Sequence, residues 1–363
     1  MNRLILIGNG FDLAHGLKTS YQDFIFDFFK RAIETFVEKE EYKDELFELS
    51  YKDSYKYNFA GPLEIQNFDD VKSRLDSFKN YKMVKMNIIF HSSLMKRLYD
   101  NLSDLRWVDI ENEYFELLLK ATKNGDKGLI KNLNNEFSIL SKKLETYFTD
   151  LEIEKQNYSH TSFSRFFSQK ILREDIVTIN LENDLNPEVI CYLNFNYTST
   201  IGNYFGRENQ FLKDVSVKHI YIHGELDNPK NPIIFGFGDE LNEDYLKFEN
   251  LKNNDLFTHI KSFKYSQTSN YHDLIRFIES NDFQVFIIGH SCGLSDRTML
   301  NQIFEHEYCK SIKIYYHLRN DGTDDFTEKT FEISRHFRDK GLMRMKIVPK
   351  DRSQPMPKFR LMR

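Results

Sequence analysis

Cysteine is scarce in this chain of 363 residues, and the few cysteines are not grouped. They are Cys191, Cys292 and Cys309, and none of them belongs to a Cys-x-x-Cys pair. This scatter supports neither a disulfide framework nor a cysteine zinc site, and we predict no metal. Long apolar runs are also missing, since none approaches the roughly 18 residues that a membrane span needs. We expect no membrane insertion and a cytoplasmic location.

A strong excess of charge of either sign is absent as well. The 50 basic and 55 acidic residues give a net charge of −5 at pH 7, and they are interspersed along the chain. This balance argues against a dedicated nucleic-acid surface. Only residues 350–363 are clearly basic, and we interpret them as a solvated tail.

Short apolar runs are present, and they predict a parallel sheet. Near-continuous runs of Val, Ile, Leu, Phe and Tyr are typical of strands that are covered on both faces. They lie at residues 4–7, 189–195, 217–222, 233–235, 285–288, 312–317 and 343–348. We therefore predict an α/β fold with an open, mainly parallel, Rossmann-like sheet, formed by residues 1–30 and 176–349.

The long stretch between the first two of these runs has a different character. Residues 31–175 are rich in Lys, Glu, Leu, Phe and Tyr and poor in Gly and Pro. Apolar residues recur at helical spacing in residues 83–102, 109–122 and 129–151. Residues 42–68 are polar and aromatic without clear periodicity, and we interpret them as a loop. The sequence therefore predicts a large α-helical insertion over residues 31–175.

Glycines follow the first apolar run at once, in the order Gly8-Asn9-Gly10. A strand that ends in Gly-x-Gly is how a nucleotide-binding α/β domain begins, because glycines let the backbone approach a phosphate at the start of the next helix. The dinucleotide fingerprint has a third glycine that is missing here. Asp12 and His15 come next and are candidates to face the ligand. A strand, turn and helix without a ligand is the alternative interpretation.

Polar groups also follow three later predicted strands. Asn196 and His223 each follow one strand, while Gly289 and Ser291 follow another, with Asp296 shortly after. Because the carboxyl ends of parallel strands share one edge, we expect these loops to converge with the first glycine loop on one crevice. Each residue also has a structural alternative: asparagine forms turns, histidine packs in the interior, and aspartate caps a following helix.

The residues in these loops resemble the bacteriophage abortive-infection AbiH family. The similar stretches, in the order of the family, are residues 8–17 (GNGFDLAHGL), 107–111 (WVDIE), 195–198 (FNYT), 222–224 (IHG) and 289–291 (GHS) with Asp296. The resemblance covers about residues 1–320. It implies a role in antiviral defence, with a phage-derived trigger as a partner, and does not by itself supply a reaction.

A more distant resemblance, to sirtuin-like NAD-binding domains, implies a reaction. The order of the motifs is similar: a glycine loop after the first strand, an asparagine at a strand end, a His-Gly pair and a late Gly-x-Ser. In defence proteins of this class, the implied activity is hydrolysis of NAD to nicotinamide and ADP-ribose. Protein deacetylation is not expected, because the paired cysteines of the sirtuin zinc ribbon are missing.

The resemblance and the chemistry of NAD cleavage suggest roles for individual residues. His223 is predicted as the general base, and Asn196 as a group that binds ribose or orients water. The predicted cofactor-binding residues are Gly8, Asn9, Gly10, Asp12, His15, Gly289, Ser291 and Asp296. Asp109 and Glu111, from the insertion, are candidates to close over the crevice, with a solvated helix start as the alternative.

Two other functions remain open. One is a non-catalytic sensor of NAD or a related nucleotide, whose insertion binds a partner or forms a homo-oligomer. Thr198 favours this sensor, because the asparagine motif usually continues to an acid at that position. The other is a toxin nuclease, which ranks last because no His-Lys-Asn or Asp-Glu-x-Lys pattern stands out and the net charge is negative.

Overall fold

Eight strands form two separate sheets in the computed structural model, which describes residues 1–51, 64–80, 86–101, 110–154, 161–205, 215–241 and 243–357. The strands are β1 (Asn2–Ile7), β2 (Tyr42–Lys43), β3 (Phe47–Tyr51), β4 (Met86–Phe90), β5 (Val189–Asn194), β6 (Ser216–Tyr221), β7 (Phe283–Ile288) and β8 (Cys309–Tyr315). Strands β1 and β5–β8 make a five-stranded sheet, and β2–β4 make a three-stranded one.

Helices account for most of the remaining regular structure. They are α1 (Asn9–Ala14), α2 (Tyr21–Lys39), α3 (Phe68–Asn80), α4 (Ser93–Asp100), α5 (Ile110–Lys123), α6 (Lys127–Glu154), α7 (Thr161–Phe167), α8 (Glu243–Asn250), α9 (Lys261–Tyr265), α10 (Asn270–Ile278), α11 (Arg297–Glu305), α12 (Phe326–His336) and α13 (Lys340–Lys346). Within the described part of the chain, no helix combines the length and the apolar composition that crossing a bilayer requires.

The chain divides into two units. The first, here called the sheet unit, comprises Met1–Lys18, Phe148–Lys252 and His259–Arg363. The second, the helical unit, comprises Thr19–Tyr147 and Asn253–Thr258.

The sheet unit is built on the five-stranded sheet, whose strand order is β6-β5-β1-β7-β8 and whose pairs are all parallel. Leu4 and Leu6 point into one apolar cluster, while Ile5 and Ile7 point into another, so the central strand is covered on both faces. The predicted α/β fold with an open parallel sheet is confirmed. All five strands run in one direction, so their carboxyl ends lie at one edge.

Two predicted strands are wrong. Residues 233–235 form no strand, although a backbone bond from Ile234 N to His223 O at 2.7 Å ties this short run to the loop after β6. Residues 343–348 lie mostly in α13, since Asp339 caps that helix by accepting bonds from Gly341 N and Leu342 N. A single parallel bridge pairs Ile347 with Ile312.

Part of the predicted basic tail packs on the sheet unit. Met356 is buried, and its amide donates to Tyr316 O at 2.8 Å. The interpretation of a solvated tail is therefore wrong at this residue. Residues 358–363 lie outside the described part of the chain.

The helical unit contains the predicted helices together with a sheet that the sequence did not suggest. Helices α5 and α6 match the predicted periodic segments at 109–122 and 129–151. The segment predicted as a loop, residues 42–68, contains β2 and β3. In the turn that joins these two strands, Asp44 Oδ1 accepts hydrogen bonds from Leu46 N and Phe47 N. Residues 83–102 contain β4 and α4 rather than one helix, and Ser92 caps α4 through Met95 N.

Candidate functional site

The loops after β1, β5, β6 and β7 meet at the carboxyl edge of the sheet unit. Asn196 Nδ2 donates a hydrogen bond to Gly8 O at 3.1 Å, which joins the loops after β5 and β1. The Phe195 ring centroid lies 4.1 Å from that of His290 and 5.2 Å from that of His223. The structure therefore brings the predicted motif loops together in space.

The glycines in these loops allow two backbone segments to touch. A Cβ on Gly8 would lie 2.4 Å from His290 Cα, and a Cβ on Gly10 would lie 2.8 Å from Gly289 Cα. The amides of Gly8 and Gly10 donate to Ile288 O and Gly289 O at 3.1 and 2.8 Å. Both predicted phosphate donors are thus already used inside the protein. The cofactor-binding role of Asn9, the first residue of α1, stays a prediction.

Asp12 and His15 are both buried and bonded to neighbouring groups. Asp12 is buried and accepts a hydrogen bond from the Thr198 hydroxyl. Nδ1 of His15 lies 2.7 Å from Phe11 O, and its Nε2 lies 2.6 Å from the Tyr204 hydroxyl. The cofactor-binding role of Asp12 and His15 stays a prediction.

Asp296 is the centre of a buried charged cluster. Its Oδ1 accepts hydrogen bonds from Lys261 Nζ and from His223 Nε2, each at 3.0 Å. Asp296 precedes α11, yet its side chain makes no capping hydrogen bond. The alternative interpretation as a helix cap is therefore wrong, and the carboxylate instead joins segments that are far apart in the sequence.

The charges of this cluster follow from burial and from Lys261. Burial opposes ionisation of Asp296, but Lys261 and His223 hold the pKa of this carboxyl far below its usual range. Burial and the positive charge of Lys261 lower the pKa of His223, although Asp296 opposes this shift. The cluster therefore contains an ionised carboxylate beside a buried imidazole, whose Nε2 lies 3.0 Å from Oδ1 and which also bonds the Phe195 backbone.

A second histidine lies on the other side of the carboxylate. His290 Nδ1 accepts a hydrogen bond from Cys292 N at 3.0 Å, so in the neutral ring the proton is on Nε2. Burial lowers the pKa of His290 to about 3. Its Nε2 lies 3.8 Å from Asp296 Oδ2, which is beyond hydrogen-bond distance. Within the described residues, Oδ2 accepts no hydrogen bond.

A pocket of about 270 Å³ opens beside this cluster. Its described lining residues are Gly238, Glu240, Ser262, Tyr265, Ser266, Tyr271, His272, Asp296, Thr298 and Met299. His223 Nε2 is within 3.1 Å of the Tyr265 hydroxyl and 3.0 Å of Asp296 Oδ1, so its two partners form the wall in front of it. The volume lies slightly below the roughly 300–1,000 Å³ of typical small-molecule pockets.

Of the predicted site residues, only Asp296 is among the described lining residues of this pocket. Ser291 is partly exposed, and its hydroxyl makes no hydrogen bond to any described residue. Glu111 is buried in the first turn of α5 in the helical unit. Asp109 lies outside the described residues.

Sequence reasoning missed Lys261, Tyr265 and Tyr271. They lie on α9 and α10, which contain no recognisable motif. The only sequence signal near them was Asp296, whose partner Lys261 is 35 residues away. A buried lysine is unusual enough to mark a site, but its burial is visible only in the fold.

Comparison with known proteins identifies the family. No curated protein matches the chain significantly. A family profile described as bacteriophage abortive infection AbiH matches residues 4–317, a span that runs from within β1 past the end of β8 and includes the whole charged cluster. The chain therefore belongs to the bacteriophage abortive infection AbiH family.

Proposed function

We propose that this AbiH-family protein binds NAD at the pocket of the sheet unit and hydrolyses it to nicotinamide and ADP-ribose. Membership of the family indicates a role in abortive infection, in which infection of the cell by a bacteriophage is aborted. The observation that supports the chemistry is Asp296, a buried carboxylate that lines the pocket and is kept ionised by Lys261 and His223. Loss of NAD would stall the infected cell.

An ionised carboxylate suits this reaction because positive charge develops on the ribose as nicotinamide leaves. Nicotinamide departs as a neutral molecule, so its departure requires no proton donor. Water then attacks the ribose carbon and releases one proton to solvent. Asp296 Oδ2 accepts no hydrogen bond from any described residue and is the oxygen we assign to the developing cation.

His223 acts on Asp296 rather than on the substrate in this proposal. Its ring is buried and its Nε2 lies 3.0 Å from Oδ1. We assign the ring proton to Nε2, from which it donates to Oδ1 and fixes the orientation of the carboxylate. A group that already donates this proton is poorly placed to accept one from water. We therefore propose that His223 is a positioning residue, in place of the general base suggested by the sequence.

The second candidate is a non-catalytic nucleotide sensor. One observation favours it: none of the described lining residues is a buried histidine that could take a proton from the attacking water. A sensor of this kind would bind NAD at the same pocket and leave it intact. Binding and turnover must therefore be measured separately.

The test is nicotinamide release from NAD by purified protein, followed by chromatography, with NAD affinity measured by calorimetry. We expect Asp296→Asn to lower the rate by about 10²–10³-fold, the range for loss of one electrostatic group in an active site. The matched control is Asp351→Asn, which removes a carboxylate from an exposed residue and should leave the rate unchanged.

Folding and activation need their own controls. Asp296→Asn leaves Lys261 without its partner, so the double variant with Lys261→Met removes both charges and should be folded but inactive. Cellular NAD is also measured after phage infection of cells that express each variant, which supplies the natural trigger. If the wild type binds NAD yet depletes none in infected cells, the sensor replaces the enzyme. Full activity of Asp296→Asn would show that this carboxylate has no catalytic role.

A further inference from the structure

The pocket has an acidic lining. Glu240 and Asp296 are the acidic residues of its described lining, which includes no lysine or arginine. Lys261 is fully buried, with its ammonium on Asp296 Oδ1, and it is not among the described lining residues. Burial raises the pKa of Tyr271, and the charge of Glu240 adds to this shift, which places Glu240 close to that ring. A ligand inside the pocket therefore meets Glu240 and the Lys261–Asp296 ion pair, and Glu240 is the lining carboxylate that no buried lysine compensates.

Aromatic rings form another part of the wall. Tyr265 and Tyr271 are stacked, with ring centroids 5.5 Å apart and planes inclined by 23°. Tyr265 is also stacked on His223, at 6.3 Å and 10°. The Tyr271 hydroxyl donates to Gln302 Oε1 at 2.6 Å, which holds this ring in place. The faces of tyrosine rings attract cations, and this attraction is stronger where water is excluded.

We infer that the pocket selects a small flat organic cation. The Glu240 carboxylate and the tyrosine rings favour positive charge together, whereas a phosphate would be repelled by Glu240. This inference builds on the proposed function in one respect: the cation in NAD is the oxidised pyridinium ring of the nicotinamide end. The diphosphate and adenine then lie outside the pocket, whose volume of about 270 Å³ is small for a whole dinucleotide.

The redox form of the nucleotide should change its affinity for the pocket. Reduction of NAD to NADH removes the positive charge from the nicotinamide ring and leaves the rest of the molecule almost unchanged. The pocket should therefore bind NAD more tightly than NADH. The protein would then respond preferentially to the oxidised nucleotide, whether it cleaves the molecule or only senses it.

The test uses 1-methylnicotinamide, a pyridinium cation without ribose or phosphate, and nicotinamide as its neutral counterpart. We expect the full-length protein to bind the cation about tenfold more tightly in calorimetry, a ratio that one partly desolvated cation–π contact supplies. Glu240→Gln should reduce this ratio severalfold. Glu243→Gln, which changes a carboxylate in the first turn of α8, should leave it unchanged.

Each result decides between the two proposals. Equal affinity for cation and neutral compound, no binding of the cation at millimolar concentration, or an unchanged ratio in Glu240→Gln would overturn the inference. If NAD is cleaved while the cation has no advantage, the proposed function stands and the inference fails. If the cation binds selectively while NAD is never cleaved, the inference stands and the hydrolase proposal fails.

Discussion

Lys261 and Asp296 form an ion pair at the pocket in which both charges are almost fully removed from water. The distance between Nζ and Oδ1 is 3.0 Å, and the side chains are 1% and 8% exposed. Moving two charges out of water costs several kcal/mol, which their attraction seldom exceeds by much. The pair is therefore weak support for the fold, and an ionised carboxylate at a ligand pocket is a better explanation for it.

Removing one member of this pair should destabilise the protein strongly. We expect Lys261→Met to lower the free energy of unfolding by about 3–5 kcal/mol, because the buried Asp296 carboxylate loses its ammonium partner. The double variant with Asp296→Asn should recover most of this loss. Urea unfolding of both variants measures the difference.

The control for this prediction is an exposed pair. Lys350 lies 2.7 Å from Asp324, and the Lys350 side chain is 51% exposed. Lys350→Met should lower the free energy of unfolding by at most about 1 kcal/mol. Equal losses for the buried and the exposed pair would contradict the assignment of Lys261 as a desolvated charge.

Close contact between the loops after β1 and β7 predicts a sharp difference between two glycines. Gly289 has φ +70°, and a Cβ there would lie 2.1 Å from Phe11 N. Gly322 has a similar φ of +86°, but nothing lies within 4 Å of its Cβ position. Gly322→Ala should cost about 1–2 kcal/mol from the backbone conformation alone. Gly289→Ala should cost clearly more, because backbone must also move, and urea unfolding that gives equal values would refute the contact.

Burial of neutral histidines predicts loss of stability in mild acid. Burial lowers the pKa of His290 to about 3 and also lowers the pKa of His223. In the unfolded chain both imidazoles have a pKa of about 6.5. Below that pH the unfolded state binds protons that the folded state does not, so stability decreases as the pH falls. For His290 this loss is about 2 kcal/mol between pH 7 and pH 5.

Thermal unfolding measured from pH 8 to pH 5 checks this prediction. We expect the melting temperature to change little above pH 7 and to fall below about 6.5. His290→Asn keeps an acceptor for Cys292 N but removes the titratable ring, so its melting temperature should fall less steeply. An identical slope in the two proteins would show that His290 does not titrate as proposed.

The sequence predicted the sheet well and the pocket poorly, for physical reasons. Strands β1, β5 and β7 are buried on both faces, so each is an apolar run that can be recognised locally. The convergence of their loops follows from parallel strand direction alone. The sheet β2–β4 was missed because its strands are short and partly exposed, and their pairing spans the gap from Tyr51 to Met86.

The charged cluster around Asp296 could not be predicted from local sequence patterns. The pattern around Asp296 fits a helix cap, and nothing local indicates that its carboxylate instead binds Lys261 and His223. In the same way, Gly8 and Gly10 fit a phosphate loop, but their amides bind the strand end and loop beside them. Both differences arise from tertiary contacts between segments far apart in sequence, which one sequence does not reveal.

If His223 only positions Asp296, the rate of nicotinamide release should depend on its hydrogen bond to Asp296 and not on the imidazole ring itself. His223→Gln keeps a side-chain amide that can donate to Asp296, so we expect nicotinamide release within about tenfold of the wild type. His223→Leu removes the donor, and a misplaced carboxylate should lower kcat by roughly 10²-fold with little change in KM. Steady-state kinetics of the two variants measures this contrast, with melting temperature as the control for folding. If His223→Gln is as inactive as His223→Leu while both are folded, the imidazole itself takes part in the reaction, and His223 is the general base after all.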